Sequence, residues 1–275
     1  MLGLTMTMLR PDRGVFPNGM TYARLGEGPK TLLWLASGSK GPMLAMMTRA
    51  IRPFVAHGYG VCLVSMRPNM PPGHTLEGMA EDYAALIEAE FDGRVDLVIG
   101  HSTGGMIGFC LAAGHPDRFG HIAIAGAGLW SDRSDRANLE PARLLVAGRT
   151  REAGDLIARL LLPNIRLPGV AAVLGALLAR AALAEHTAED LLVSAEATHA
   201  FDPQHVLPSI GVPLLLVAGE NDVWFTPQAV TQAAQLIPNC TLRLYAKTNH
   251  FGAITSPRFA ADTLDFIRQH RQTPA

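Results

Sequence analysis

Residues 95–105 read VDLVIGHSTGG, an apolar run that passes directly into Gly100-His101-Ser102-Thr103-Gly104 and a further glycine. The five residues match G-x-S-x-G, which presents a serine on a tight turn between a strand and a helix. Glycines two residues before and two after the serine leave room for the strand and the helix to approach each other. We therefore predict that Ser102 is a nucleophile at the carboxyl end of a parallel sheet, beside the amino end of the next helix.

Apolar runs alternate with helical patterns on both sides of this turn, which is typical of repeated βαβ units. The runs are almost continuously apolar, as in strands that helices cover on both faces. The sequence therefore predicts an α/β fold with a mainly parallel, twisted sheet flanked by helices. The predicted strands are Thr31–Ser37, Gly60–Met66, Val95–Gly100, His121–Gly128, Val212–Gly219 and Thr241–Ala246. The predicted helices are Met43–His57, Leu76–Phe91, Gly104–Ala113, Thr226–Leu236 and a last helix that Ser256-Pro257 opens and that ends near His270.

One segment interrupts this alternation. Between Leu129 and Pro208 the sequence is rich in Ala, Leu and Arg, contains Pro163 and Pro168, and shows no strand pattern. A connection of this length is too long for a plain crossover between two strands. We predict that residues 129–208 form a helical cap inserted into an α/β core made of residues 1–128 and 209–275.

A serine hydroxyl is a weak nucleophile at neutral pH and needs a base, which in turn needs an acid that orients it. In this strand–turn–helix context the acid follows a late strand and the histidine follows the last one. Asp222 lies three residues past Gly219, the end of a predicted strand. His250 lies in the loop after Thr241–Ala246. We predict that Asp222 is the acid and His250 the base.

Other residues compete for these roles. Glu220 and Asn221 share the loop of Asp222, and Asp132 follows the predicted strand that ends at Gly128. Residues that begin a strand-end loop often cap it locally, which favours Asp222, and Asp132 is kept as the alternative acid. His101 is adjacent to Ser102, but neighbouring side chains in a sharp turn point apart. We expect His101 to support the turn and not to act as the base.

Acyl transfer also requires donors for the developing oxyanion and a pocket for the substrate. The backbone N–H after the nucleophile, that of Thr103, is the first predicted donor, and a loop after an early strand supplies the second. The glycine-rich residues 37–41 fit that loop, and we assign the second donor to the N–H of Ser39. The residues predicted to line the pocket, because they follow strand ends, are Trp130, Trp224 and Phe251.

The composition favours a small-molecule substrate. Of the 275 residues 48% are hydrophobic and 17% charged, and the formal net charge is −1, so no nucleic-acid partner is expected. The three cysteines, Cys62, Cys110 and Cys240, form neither a disulfide framework nor a zinc pattern, and no metal or organic cofactor is expected. Prolines and arginines interrupt the apolar stretch Leu156–Leu183, so no membrane span is expected. We expect a cytoplasmic monomer or homodimer.

These motifs resemble those of the α/β-hydrolase superfamily, and the resemblance covers nearly the whole chain. It depends on Gly100–Gly105, the loops of Asp222 and His250, and the strand–helix alternation. It implies the same roles for Ser102, Asp222, His250, Ser39 and Thr103, together with a cap before the strand that carries the acid. The chain departs from many relatives by having Ser37-Gly38 in place of His-Gly, and SMRPNM at residues 65–70 in place of Asp-x-Arg-Gly-x-Gly-x-Ser. The assignment therefore stops at the superfamily.

The resemblance also implies the reaction. A serine at position 102 argues against dehalogenase and epoxide hydrolase relatives, which use an aspartate there. Hydrolysis of a small to medium hydrophobic carboxylic ester through an acyl-enzyme is the main expectation. The alternatives with the same triad are thioester, lactone or carbon–carbon bond hydrolysis, and perhydrolysis as in cofactor-free haloperoxidases. A hydrolase-like receptor that binds its ligand with little turnover is an alternative of another class.

Overall fold

The computed structural model describes residues 10–35, 41–129, 139–161 and 168–270. Strands in these ranges form a single sheet of eight. They are β1 (Asp12–Val15), β2 (Thr21–Leu25), β3 (Lys30–Leu35), β4 (Tyr59–Val64), β5 (Val95–His101), β6 (Phe119–Ala125), β7 (Leu214–Gly219) and β8 (Cys240–Tyr245). The order across the sheet is β1-β2-β4-β3-β5-β6-β7-β8, and the pairs from β4 to β8 are parallel. The predicted α/β fold with a mainly parallel sheet is confirmed.

The six predicted strands correspond to β3–β8, with boundaries that differ by at most three residues. The hairpin of β1 and β2 was not predicted. Both strands pair antiparallel, and β2 also pairs antiparallel with β4. β1 has no buried residue and β2 alternates buried and exposed positions, so neither forms the continuous apolar run that marks the inner strands. Their strand conformation depends on pairing with β4, a contact that the local sequence does not encode.

Helices cover both faces of the sheet. They are α1 (Gly41–Ala56), α2 (Leu76–Glu90), α3 (Thr103–Gly114), α9 (Pro227–Leu236), α10 (His250–Thr255) and α11 (Pro257–Gln269). Residues of α2, α3 and α9 pack in one apolar layer, and residues of α1, α10 and α11 pack in the other. The predicted starts at Thr226-Pro227 and Ser256-Pro257 are confirmed, because the Thr226 and Ser256 hydroxyls accept hydrogen bonds from Ala229 N and Arg258 N.

The described part of residues 129–208 contains helices and no strand. The helices are α4 (Leu139–Val146), α5 (Thr150–Leu161), α6 (Pro168–Leu183), α7 (Ala188–Ala200) and the short α8 (Pro203–Val206). Glycines allow α5 and α6 to cross closely, since a Cβ at Gly175 of α6 would lie 2.0 Å from the carbonyl oxygen of Gly154 in α5. Helix α7 is bound to the loop after β4, where the buried Asp190 accepts a hydrogen bond from Met70 N at 2.9 Å.

The parallel strands direct their carboxyl ends, and the loops that follow, to one edge of the sheet. Ser102 follows β5, Asp222 lies beyond the end of β7, and His250 lies beyond the end of β8. Residues separated by more than a hundred positions in the chain are therefore brought to the same edge. Among the helices in the described ranges, none is both long and apolar enough to cross a membrane.

Candidate active site

Ser102 lies in a strained turn between β5 and α3. Its φ of 55° and ψ of −122° fall in a region that non-glycine residues rarely adopt. The turn is so tight that a Cβ at Gly100 would lie 2.4 Å from the carbonyl oxygen of Gly104. The Ser102 N–H donates to the carbonyl of Ala125 at the end of β6, at 3.1 Å. This turn holds the serine at the sheet edge in the way that the G-x-S-x-G segment predicts.

Thr103 is the first residue of α3. The Ser102 carbonyl accepts the N–H groups of Gly105 and Met106, at 2.8 and 3.1 Å, which begins the hydrogen-bond ladder of this helix. The first N–H groups of a helix have no intrahelical acceptor, and the helix dipole adds positive potential there. The Thr103 N–H, next to the serine, is one of these first N–H groups at the positive end of α3. Ser39, the other predicted donor, lies outside the described residues.

Asp222 lies in a turn after β7, where its own N–H donates to Gly219 O at 3.1 Å. Its Oδ1 accepts the N–H groups of Trp224 and Phe225, at 2.9 and 3.1 Å, which fixes the plane of the carboxylate. The Asp222 side chain is fully buried. The competing Glu220 and Asn221 are exposed, and the alternative acid Asp132 lies outside the described residues.

His250 is the first residue of α10, and Asn249 caps this helix by accepting from Gly252 N at 2.8 Å. The imidazole Nδ1 lies 2.8 Å from Asp222 Oδ2, and the two side chains are 6% and 0% exposed. Since a carboxylate only accepts, Nδ1 carries a proton, and in the neutral imidazole Nε2 carries the lone pair. Nε2 is buried and makes no hydrogen bond within the described part of the chain. A base oriented in this way can accept a proton from a nearby hydroxyl.

Aromatic side chains and one glycine surround the His250 ring. Trp224 and Phe251, both predicted to line the pocket, contact it edge-to-face with ring centroids 4.5 and 5.4 Å away. Phe225, which was not predicted, stacks on it at 6.0 Å. Gly126, just past the end of β6, has a φ of +58°, and a Cβ there would lie 3.0 Å from His250 Cε1 and Nδ1. The third predicted pocket residue, Trp130, lies outside the described residues.

His101 contacts His250 through both its ring and its Nε2. The ring centroids are 4.7 Å apart, and His101 Nε2 donates to the main-chain carbonyl of His250 at 3.2 Å. Burial of the His101 ring, with repulsion from His250 adding to it, lowers the pKa of His101 from 6.5 to about 3. His101 thus stays neutral at neutral pH with its Nε2 engaged by a carbonyl, whereas Nε2 of His250 makes no hydrogen bond within the described residues.

The α/β-hydrolase fold family matches residues 57–257, a range that includes Ser102, Asp222 and His250. This chain belongs to the α/β-hydrolase fold family. A curated relative of this α/β-hydrolase, the pimeloyl-(acyl-carrier protein) methyl ester esterase of Neisseria meningitidis serogroup A, is 26% identical over 238 residues, which are 78% of this chain and 76% of the relative.

Solved structures have the same fold as this α/β-hydrolase. Bromoperoxidase from Bacillus anthracis superposes with a TM-score of 0.71 at 17% identity, covering 94% of this chain and 100% of its own. A thermophilic esterase from Thermogutta terrifontis superposes with a TM-score of 0.69 at 19% identity, covering 94% and 98%. At these identities the likeness concerns the fold alone.

Two contacts at the centre of this α/β-hydrolase site were not predicted, those of Gly126 and Phe225. Gly126 lies inside the apolar run His121–Gly128, which was interpreted as strand throughout, whereas β6 ends at Ala125. A glycine at the carboxyl end of a predicted strand is a signal for close approach of another group. Phe225 gave no such signal, because an aromatic residue after a strand is as compatible with the core as with a site.

We expect the unfolding free energy of this α/β-hydrolase to fall between pH 7 and pH 5 in a manner that depends on His101. The unfolded chain binds a proton at His101 below its ordinary pKa of 6.5, whereas the folded chain does so only near pH 3. The unfolded state thus binds more protons in this window, and stability is lost as the pH falls, by about 2 kcal/mol at pH 5 from this group. Urea unfolding at pH 7 and pH 5 measures this difference in unfolding free energy.

His101→Gln is the matched variant for this measurement, since glutamine does not titrate. The difference between pH 7 and pH 5 should be about 2 kcal/mol smaller in the variant than in the wild type, because all other titrating groups are shared. Equal pH dependence in the two proteins would contradict a His101 that stays neutral in the folded state.

Gly126→Ala is expected to impair the site more than the fold. The added Cβ meets the His250 ring at 3.0 Å, and shifting that ring by a few tenths of an ångström should lower kcat about 10- to 100-fold. The positive φ at Gly126 should also cost about 1–2 kcal/mol of unfolding free energy. Steady-state kinetics and urea unfolding measure the two effects separately.

Gly148→Ala is the control for Gly126→Ala. Gly148 has a φ of +72°, and a Cβ there would meet nothing within 4 Å. It should therefore show a similar loss of stability with full activity. Equal activity of the two variants would mean that the His250 ring does not depend on Gly126.

Proposed function

We propose that this chain is a carboxylic ester hydrolase that works through an acyl-enzyme, with Ser102 as nucleophile, His250 as base and Asp222 as the acid. The observation that carries this proposal is the buried pair of Asp222 Oδ2 and His250 Nδ1, 2.8 Å apart, beside the strained Ser102 turn. A buried carboxylate that orients an imidazole beside a half-buried serine is the arrangement that acyl transfer requires. The ester hydrolase activity of the curated relative supports the choice of ester chemistry.

In the proposed acylation step the Oγ of Ser102 attacks the ester carbonyl carbon as its proton passes to His250 Nε2. Asp222 stabilises the imidazolium that forms, and it holds Nδ1 as donor throughout. The carbonyl oxygen becomes an oxyanion, for which the Thr103 N–H at the start of α3 is the proposed donor, with the Ser39 N–H as the second. The imidazolium then protonates the leaving alcohol. Water, activated by the same Nε2, releases the acid and restores Ser102.

We propose that Trp224 and Phe251, with Trp130, form the apolar wall of the substrate pocket. The two described aromatic rings pack edge-to-face on His250, so a bound ester must pass close to them to reach the base. A wall of this kind favours a small to medium hydrophobic substrate.

We also propose that residues 129–208 form a cap over this site, as the sequence predicts. Part of the segment has an apolar cluster of its own, made by Leu144, Leu145, Ala153 and Ala179. The contact of Asp190 with Met70 N fastens the segment to the loop after β4, which lies at the same sheet edge as Ser102.

The proposed function is tested with p-nitrophenyl esters from acetate to octanoate. We expect saturable hydrolysis with kcat/KM of at least ~10⁴ M⁻¹s⁻¹ for the best chain length. Turnover of thioesters, lactones or vinylogous diketones that exceeds ester turnover would replace the substrate class while keeping the triad. Tight binding of an ester analogue without turnover of any substrate would favour the receptor alternative.

A further inference from the structure

We propose that His101 is a positioning residue, which holds the main chain of His250 so that the imidazole of the base stays aligned with Ser102. This inference rests on the proposed function, because it assigns His101 a task in the same triad. It goes beyond the expectation that His101 only supports the turn. The contact that carries it is the hydrogen bond from His101 Nε2 to the His250 carbonyl, at 3.2 Å.

Three neighbouring groups enclose the His101 ring. The His250 and Phe251 rings lie with centroids 4.7 and 5.5 Å away, and a Cβ at Gly126 would lie 3.3 Å from His101 Nε2. His101 is the last residue of β5, an inner strand of the sheet, so its main chain is rigid. The donor is therefore fixed to the inner strand β5 and is directed at the main chain of His250.

His250 needs such a hold because the segment that carries it is short. α10 comprises six residues, and Lys247 just before it has a φ of +58°. A helix of this length has little stability of its own. Asp222 binds the imidazole at Nδ1 and aromatic rings pack against it, but none of these side-chain contacts holds the main chain of His250. The hydrogen bond from His101 holds that main chain, so the two hydrogen bonds together orient Nε2.

The chemistry of His101 suits a support that takes no part in proton transfer. A carbonyl only accepts, so Nε2 of His101 carries its proton and the ring can be neutral. The charged and titratable groups that act on His101 are His250 and Asp222, and its pKa of about 3 keeps it neutral over the pH range in which a histidine base works. A neutral ring adds no second positive charge beside His250 when that residue becomes an imidazolium.

The experiment compares two substitutions at position 101. Glutamine places an amide N–H close to the position of the imidazole Nε2 and keeps the donor, whereas phenylalanine keeps the ring and removes the donor. We expect His101→Gln to retain kcat within about 3-fold, and His101→Phe to lose about 10- to 100-fold in kcat with KM unchanged, since displacement of a catalytic group by less than 1 Å has effects of this size. A merely structural role would not distinguish the two variants in this order.

His121→Phe is the matched control. His121 lies on β6 and donates, by the same atom, to the main-chain carbonyl of His270 at 3.1 Å, at the opposite end of the strand from the site. The substitution removes the same kind of hydrogen bond, and we expect kcat to be unchanged. Thermal unfolding of each variant shows whether it is folded at the assay temperature, and kcat values are compared only among folded variants.

The ¹H NMR signal of the His250 Nδ1 proton gives a readout that does not require turnover. We expect its chemical shift to be kept in His101→Gln and His121→Phe and displaced or exchange-broadened in His101→Phe. Wild-type kcat and Nδ1–H shift in His101→Phe would overturn the inference, as would equal losses in the glutamine and phenylalanine variants. If the wild type hydrolyses no ester, the proposed function fails, and the NMR comparison still decides whether His101 holds His250.

Discussion

Ser102→Ala is expected to reduce ester hydrolysis by about 10⁴- to 10⁶-fold while the protein remains folded, because the proposed mechanism has no other nucleophile. The Ser102 hydroxyl makes no capping hydrogen bond in α3, so the fold loses no contact of that kind, and the unfolding free energy should change by about 0.5 kcal/mol or less. Incubation with a fluorophosphonate followed by intact mass spectrometry measures the reactivity of the Ser102 hydroxyl without a substrate. A single adduct should form on the wild type and none on the variant.

Ser209→Ala is the control for this experiment. Ser209 is an exposed serine in a short helical turn before β7, and its hydroxyl donates to Val206 O at 2.7 Å. The variant should be labelled and active like the wild type. Substantial hydrolysis by Ser102→Ala, or an adduct on that variant, would remove Ser102 from the role of nucleophile. A folded wild type without any adduct would favour the receptor alternative.

Asp222→Asn is expected to have the second-largest effect, a loss in kcat of about 10⁴-fold, as known for the corresponding change in serine protease triads. The amide oxygen of asparagine can still accept the N–H groups of Trp224 and Phe225, which now bind Oδ1. This leaves the amide NH₂ facing His250 Nδ1, at the position of Oδ2. A donor there makes Nδ1 the acceptor and transfers the ring proton to Nε2. The histidine can then no longer accept the serine proton.

Asp132→Asn, made in parallel, separates the two candidate acids. We expect it to keep wild-type activity, while Asp222→Asn keeps its fold, as measured by circular dichroism, and loses activity. The opposite order of activities would assign the acid to Asp132. Equal, small effects of both changes would mean that His250 is oriented by another group.

Much of the site could be predicted because its components are local. The turn around Ser102 needs glycines at two positions and a strand followed by a helix, and residues 95–105 show both features. Asp222 and His250, which the structure brings into hydrogen-bond contact, were predicted as acid and base from their order in the chain relative to predicted strands. The Trp224 and Phe251 contacts with His250 agree with the expectation that residues after strand ends gather at one edge.

The unpredicted features all depend on residues that are distant in the chain. The β1–β2 hairpin takes its conformation from β4, and nothing in its short, partly exposed strands indicates that partner. His101 was expected to support the turn and not to act as the base, but its hydrogen bond to a carbonyl 149 residues away was not predicted. The position of Gly126 at a strand end signals that some group approaches it, but only the tertiary structure shows that this group is the His250 ring. No local pattern of apolar and polar residues carries such information.

Short-range chemistry thus determined a parallel sheet from continuous apolar runs and a strained serine turn from paired glycines. It also predicts an acid and a base from their places after late strands. The tertiary structure decided which atoms meet. The contact of Asp222 Oδ2 with His250 Nδ1 spans 28 residues, and that of His101 with the His250 carbonyl spans 149. The physical reason is that propensities and periodicities act over a few residues, whereas a hydrogen bond requires the distance between donor and acceptor to be correct to a fraction of an ångström. Only the packing of the whole sheet with its helices sets that distance.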